Sequence, residues 1–271
     1  MAYDNLERSA ADGRPVELYR FSRGPIAWNY TSSDRDILFD AVLYAAHPIQ
    51  RGNIEQGPEA QRSGLRLTVA RAFPVAALFM IAPPSDPIAL ALRQMHYLDY
   101  EAITLWQGVI TGVSFSAGRA DIELEPLSGT LRRSGLRRNY QKTCPYVLYG
   151  VDCAANAEAV RVDGVANVID GLSLTVTAAG ALPDGFFAGG YVEWQLGADP
   201  VFERRFVTAH VGAAITIDMP PVGLAVGAAV RLYPGCDHSL TTCNSKFGNA
   251  LNYGGMPFIP TKNPFGSDPI Y

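Results

Sequence analysis

Four cysteines, four histidines and three tryptophans are all that this 271-residue chain holds of the residues from which metal centres and aromatic platforms are commonly built. The common enzyme signatures are missing as well. There is no P-loop and no GxGxxG, and GVSFS from Gly112 to Ser116 departs from a nucleophile elbow at its last position. Long apolar runs are absent: Val75 to Ala82 follows Pro74 and stops at Pro83 and Pro84, too short to span a bilayer. The first residues, MAYDNLERSAADGR, place acids early around no apolar core, so no secretory leader is expected. Synthesis in a reducing cytoplasm follows from that reading and weakens any case for disulfides.

What is present describes a folded, turn-rich chain. Hydrophobic residues make up 48% of it, with 26 glycines and 19 prolines, which excludes a disordered tail and leaves room for two domains or one with an insertion. Short runs rich in branched and aromatic residues predict strands at Val16 to Phe21, Ile26 to Tyr30 and Gly64 to Val69. Trp106 to Ser116 and Ala120 to Leu124 flank Ala117-Gly118-Arg119. There Ile122 and Leu124 alternate with Asp121, Glu123 and Glu125, predicting a hairpin with one wet face. Ile88 to Met95 suits a buried helix as well as a strand.

Farther on, Leu172 to Thr177, Tyr191 to Leu196, Arg205 to His210, Ala214 to Ile217 and Ala228 to Tyr233 form a second series of strands punctuated by glycines. Beyond Cys243, Asn244 to Leu251 has room for two helical turns. The rest, with Gly254, Gly255, Pro257, Pro260, Pro264 and Pro269, must be extended or turn-like. The apolar Met256, Phe258, Ile259 and Phe265 give this tail something to bury, on a neighbouring subunit or on its own site.

The cysteines fall as two local pairs. Eight residues separate Cys144 from Cys153 and six separate Cys236 from Cys243, with 82 cysteine-free residues between the pairs. Zinc knuckles hold the cysteines of a pair two to four residues apart, so these loops are loose for zinc; an iron-sulfur cube presents its thiolates more widely. Closely spaced ferredoxin-type runs are absent too. Spacing alone leaves zinc, two local disulfides, a cluster or unpaired buried thiols open.

Arg132, Arg133, Arg137, Arg138 and Lys142 precede the first pair with no acid between Leu131 and Cys144, in a chain of formal net charge −4. Such cations favour deprotonated sulfur beside a metal centre, although a solvated basic turn fits the composition equally well. A nucleic-acid patch using Tyr140 and Tyr146 is disfavoured by the shortness of the run and the acidic balance of the chain. A cysteine hydrolase pairing Cys144 with His210 or His238 leaves three cysteines without a role. Trp28, Trp106 and Trp194 read as core or interface anchors.

The run YQKTCPYVLYGVDC from Tyr140 to Cys153, and CDHSLTTCNSKFGNALNYGGMPFIP from Cys236 to Pro260, resemble the signature of a family of phage and gene-transfer-agent tail-tip hub proteins. WQGVITGV from Trp106 to Val113 and LRRSGLRRNYQ from Leu131 to Gln141 resemble it also. The resemblance implies a 4Fe-4S cluster, with zinc as runner-up, ligated by Cys144, Cys153, Cys236 and Cys243. It favours the strand at Ile88 to Met95.

The fold class expected is mainly β. A β-rich hub domain covers 1–143, and a small inserted antiparallel β-barrel or sandwich covers 158–233. A discontinuous cluster segment, 144–157 with 234–271, ends in an irregular tail. The resemblance further implies a non-enzymatic virion protein at the distal tail tip, made in the bacterial host cytoplasm, closing the tube of a long non-contractile tail as a ring of three. Its partners would be further copies of itself, the distal tail tube protein, the central fibre or receptor-binding protein and the tape-measure protein, with no sequence-specific nucleic acid and no membrane span. The alternatives are a zinc-dependent structural domain or an iron-sulfur electron-transfer protein outside a virion.

Overall fold

The computed structural model describes residues 2–9, 13–54, 64–97, 101–132, 135, 139–197 and 200–260. It is mainly β, and it divides into two compact units, 1–133 and 134–271. The division falls ten residues before the 143/144 boundary read from the sequence.

The first unit opens with the short helix α1 (Ala2–Glu7) and is built on a nine-stranded sheet. Its strands are β1 (Pro15–Arg23), β2 (Ile26–Thr31), β3 (Ile37–Phe39), β4 (Val42–Ala46), β5 (Ile49–Arg51), β6 (Leu65–Ala70), β7 (Ala89–His96), β8 (Ala102–Ser116) and β9 (Arg119–Pro126). They lie in the order β3-β4-β2-β1-β7-β8-β9-β6-β5, with only the β2–β4 pairing parallel. Alternation does what it promised in β9: Ala120, Ile122 and Leu124 are buried while Glu123 and Glu125 face out. These side chains meet Leu65, Leu67 and Val69 of β6, Leu90 and Leu92 of β7, and Tyr19 and Phe21 of β1 in one core. Phe73, at the mouth of α2 (Pro74–Ala77), closes it with an edge-on contact to Phe21. Trp28 and Trp106 pack against this core, partly buried. The ambiguous Ile88 to Met95 run is the central strand β7, its buried leucines spaced by two.

The β3–β4 hairpin was not foreseen, because three- and five-residue strands leave too little periodicity to read. Its two-residue turn, Asp40-Ala41, has both residues at left-handed φ of 50° and 58°, as the twist of a tight hairpin requires. Alanine at left-handed φ costs about 1–2 kcal/mol, and glycine's extra freedom in the unfolded chain returns about 0.5–1 kcal/mol of that. Ala41→Gly is therefore expected to stabilise the first unit by about 0.5–1 kcal/mol, measured as a higher urea midpoint with an unchanged slope. A lower midpoint would show that the turn is not under this strain.

The second unit contains a closed six-stranded antiparallel barrel. The helix α3 (Ala157–Val160), capped by Asn156, leads into β10 (Val162–Asp170), β11 (Ser173–Val176), β12 (Tyr191–Gln195), β13 (Phe202–Val211), β14 (Ala214–Ile217) and β15 (Ala229–Tyr233). The order is β10-β11-β14-β13-β12-β15, with β15 pairing back onto β10. Trp194 and Phe187 are the largest side chains sealed in its core, and the Trp194 indole N–H donates to the Val222 carbonyl at 3.1 Å. Glu203 and Arg205, both buried, pair at 2.9 Å, and Arg205 also reaches the Pro220 carbonyl. Val162 pairs with Leu232, so the chain enters and leaves the barrel side by side, and both cysteine pairs emanate from that end of its sequence.

The helix expected over Asn244 to Leu251 lies earlier. It is α4 (Leu240–Phe247), because the Ser239 hydroxyl caps it by accepting from the Thr242 N–H at 3.1 Å, and Gly248 at a left-handed φ of 60° ends it. A single 3-10 turn, Ala250–Asn252, follows. Phe265, Pro264 and Pro269 of the tail lie outside the described residues. No helix among the described residues is long and apolar enough to cross a membrane.

Candidate functional site

All four cysteines line one cavity of the second unit, with Tyr146, Leu148, His238, Phe247, Asn249 and Tyr253 among its other walls. None is disulfide-bonded, and Cys243 is buried while the others are half-buried. Segments 82 residues apart are joined by hydrogen bonds between them. The Cys144 N–H donates to the His238 carbonyl at 2.9 Å, and the Met256 N–H to the Gln141 carbonyl at 2.9 Å. The Tyr149 hydroxyl donates to the Pro234 carbonyl at 2.6 Å, and the Asn249 amide to the Cys153 carbonyl at 2.5 Å. The Tyr253 hydroxyl is shared between the carbonyls of Lys142 (2.8 Å) and His238 (3.1 Å). The tail up to Met256 thus docks on its own cysteine segment.

Each sulfur-bearing loop is shaped by a specific local device. Cys243 rides on α4, one turn inside its capped start, and its thiol donates to the Asn249 carbonyl at 3.3 Å. Cys236 accepts from the His238 N–H at 3.3 Å, within a turn whose His238 has a φ of 61°. Tyr149 (φ 60°) and Ala154 (φ 52°) carry the same left-handed backbone on either side of Cys153. Three such non-glycine residues in the two cysteine loops mark stored strain, which persists only where the surroundings over-determine it. Tyr149 supplies part of that constraint by edge-on contacts to Tyr191 and Tyr233 of the barrel and to Phe247 of α4.

Burial pushes the thiols of Cys236 and Cys243 up, and their neighbouring cysteines add to the effect; the His238 N–H partly offsets it at Cys236. In the metal-free chain these two are protonated at neutral pH, so any metal they take up must displace protons. Lys246, half-buried, donates to the Gly235 carbonyl at 2.7 Å and to the Phe186 carbonyl. Burial pulls its ammonium below the usual value, and Cys236 and Asp237 pull it back up. Sequence reasoning placed the compensating charge in the basic run before Cys144. The side chains of Arg132, Arg133, Arg137 and Arg138 lie outside the described residues, and Lys142 is exposed. Lys246 was missed, although its place three residues after Cys243 on a capped helix was a usable signal.

Four thiols are a donor set that zinc and an iron-sulfur centre share. Four unbridged thiols face one cavity, yet among the described residues no three His, Cys, Asp or Glu side chains stand close enough to hold a single ion. The hydrolase pairings fare differently. His210 is sealed in the barrel against Phe187 and is absent from the cavity walls. His238 lines the cavity, but it meets Cys144 and Cys236 through its backbone.

A family model described as baseplate hub protein, N-terminal attachment domain, matches residues 18–156, just over half of the chain. The chain belongs to this family of phage baseplate hub proteins. A second model, described as phage conserved hypothetical protein BR0599, matches residues 185–263. The hub match therefore includes Cys144 and Cys153, and the second includes Cys236 and Cys243. An uncharacterized protein of Xylella fastidiosa (strain 9a5c) is 31% identical over 88 residues, which are 32% of this hub chain and 17% of that protein's length. Among solved structures, a chain from the virion of a native gene transfer agent particle superposes with a TM-score of 0.79 at 20% identity, covering 98% of this chain and 94% of that one. That likeness establishes a shared fold. By its family the hub chain is a phage baseplate-hub type of structural protein.

Proposed function

We propose that this chain is a non-enzymatic tail-tip subunit that closes the distal end of a long non-contractile tail tube and joins it to the central fibre, stabilised by a 4Fe-4S cluster on Cys144, Cys153, Cys236 and Cys243. The observation that carries the reading is the convergence of two distant cysteine pairs on one cavity. When bound, the cluster ties both segments together, so its binding energy becomes folding energy. The chain's own part is positioning: α4 presents Cys243, the His238 turn presents Cys236, and Tyr149 and Asn249 hold the Cys153 loop against the 234–249 segment.

A structural role suits the surface as well. Val147, Val151, Leu251 and Phe258 stand around the cysteine segment with at least 79% of their area exposed, and Leu38 and Leu43 face outward from the β3–β4 hairpin. Clusters of exposed apolar side chains on a folded chain mark surfaces that assembly covers. The ring of three, its contacts with tube, fibre and tape-measure proteins, and synthesis in the host cytoplasm belong to the same proposal.

Purified alone, the protein should be a weakly associating or poorly soluble monomer; in an averaged map of the particle's tail tip it should form a closed ring of three copies. Six equivalent copies there, or none, would remove the tip assignment. Robust solubility as a monodisperse monomer together with absence from purified particles would favour the electron-transfer alternative.

A further inference from the structure

We propose that Lys246 is the counter-charge of the four-cysteine centre and the positioning residue that keeps Cys236 in it. This rests on the reading of that centre as an iron-sulfur cluster. Lys246 follows Cys243 by three residues on α4, so the helix carries a ligand and a cation on neighbouring positions of one face. Its ammonium turns inward instead of extending into water. It donates to the carbonyl of Gly235, the residue before Cys236, at 2.7 Å, and to the carbonyl of Phe186 in the loop that leads to β12. It also sits 4.2 Å from the Phe186 ring centroid and 5.7 Å from that of Phe247.

A lysine can snorkel to solvent at little cost, so an ammonium held half-buried by two carbonyls and two rings needs a reason. Neutral partners offset part of the lost hydration, and nearby negative charge offsets the rest. Four thiolates around iron leave the centre net negative, and a fixed cation beside it stabilises the ionised sulfurs and the more negative, reduced state. The same two hydrogen bonds pin the peptide that precedes Cys236 to the barrel loop. Lys246 therefore joins α4, the Cys236 loop and the barrel at one atom.

The test uses the full chain purified and reconstituted without oxygen, as wild type, Lys246→Met and Lys246→Arg. Iron per chain, far-ultraviolet circular dichroism, the rate of iron loss to a chelator and the midpoint potential from an EPR-monitored titration are compared. Lys246→Met, which keeps the apolar stem, should lower the midpoint potential by about 59 mV, a tenfold change in a one-electron equilibrium. It should also lose iron several-fold faster, and Lys246→Arg should restore both. An unchanged potential in Lys246→Met overturns the proposal. If Lys246→Met takes up too little iron to titrate, recovery of iron in Lys246→Arg supports the counter-charge role, and equal failure of both variants overturns it. Wild-type protein without iron would instead overturn the reading of the centre itself.

Discussion

Changing any one of Cys144, Cys153, Cys236 or Cys243 to serine is expected to remove most of the iron from anaerobically purified protein, destabilise the second unit and give tails that stall before joining. A hydroxyl is a poor substitute for thiolate, and the proposed centre, short of one ligand, would tie the 139–156 segment to the 234–256 segment far more weakly. What then remains between the segments is chiefly a small set of hydrogen bonds, each contributing about 1 kcal/mol: Cys144 to His238, Tyr149 to Pro234, Asn249 to Cys153, Tyr253 to Lys142 and Met256 to Gln141. These must hold left-handed backbone at Tyr149, Ala154 and His238, which costs on the order of 1–3 kcal/mol at each residue. Bonds and strain are of similar size, so the loops should open when the ligand set is broken.

The four single losses should resemble one another, and double variants should be little worse, because the second substitution acts on a site already broken. Iron per chain, visible charge-transfer absorbance and chemical denaturation of the four variants decide it. Colourless protein with one equivalent of zinc would assign a structural zinc site, and reductant sensitivity with variants alike only within pairs would assign disulfides. Absence of iron and of visible absorbance in the anaerobic wild type, together with infectious particles from Cys144→Ser, would sink the cluster.

Much of the architecture was legible because burial writes a period into strands. Ile122 and Leu124 against Glu123 and Glu125, or Val192 and Trp194 inside the barrel, are readable wherever one face is dry. The elements that escaped are those in which that period fails. β10 holds Gly164, Asn167 and two aspartates and is bulged between Ala166 and Val168, so its apolar residues do not fall every second position. β3, β4 and β5 have three to five residues each and derive their order from neighbours already placed. The helix after the second cysteine pair sits earlier than the Asn244 to Leu251 expectation because Ser239 caps its start and Gly248 ends it.

For the site, spacing identified which four residues to watch, and the structure brings all of them to one cavity. Its supports were not legible. Tyr149, Asn249 and Tyr253 act from as far as 111 residues away in sequence, through carbonyls that any residue type supplies. A backbone acceptor leaves no trace in sequence. Gly235 shows the same limit: one glycine among 26, it is required by a chain crossing that only the fold reveals.

That crossing makes Gly235→Ala the substitution with the next largest expected effect. A Cβ at this position would lie 1.7 Å from the Ala188 carbonyl oxygen, 2.4 Å from its carbon and 2.6 Å from the Gly190 nitrogen. All three are backbone atoms, so no side-chain rotation relieves the clash; either the 186–190 loop or the Cys236 loop must move. The first is tied to the barrel by Gly189 N–H to Val207 and by Gly185 N–H to His210, both at 2.9 Å. The second is tied by the Gly235 N–H to Phe186 at 3.2 Å, by Lys246 and, at Pro234, by the Tyr149 hydroxyl at 2.6 Å. Displacing this second loop carries Cys236 away from the cavity.

Overpacking of this severity should cost about 3 kcal/mol, lowering the melting temperature of the iron-loaded protein by roughly 10 °C. Iron occupancy should fall with it. Gly180→Ala is the matched control, since its Cβ would meet Ala213 at an ordinary 3.6 Å, and it should stay within about 0.5 kcal/mol of wild type. If Gly235→Ala melts with the wild type and keeps its iron, the barrel loop and the Cys236 loop do not cross as described, and the barrel plays no part in holding the centre.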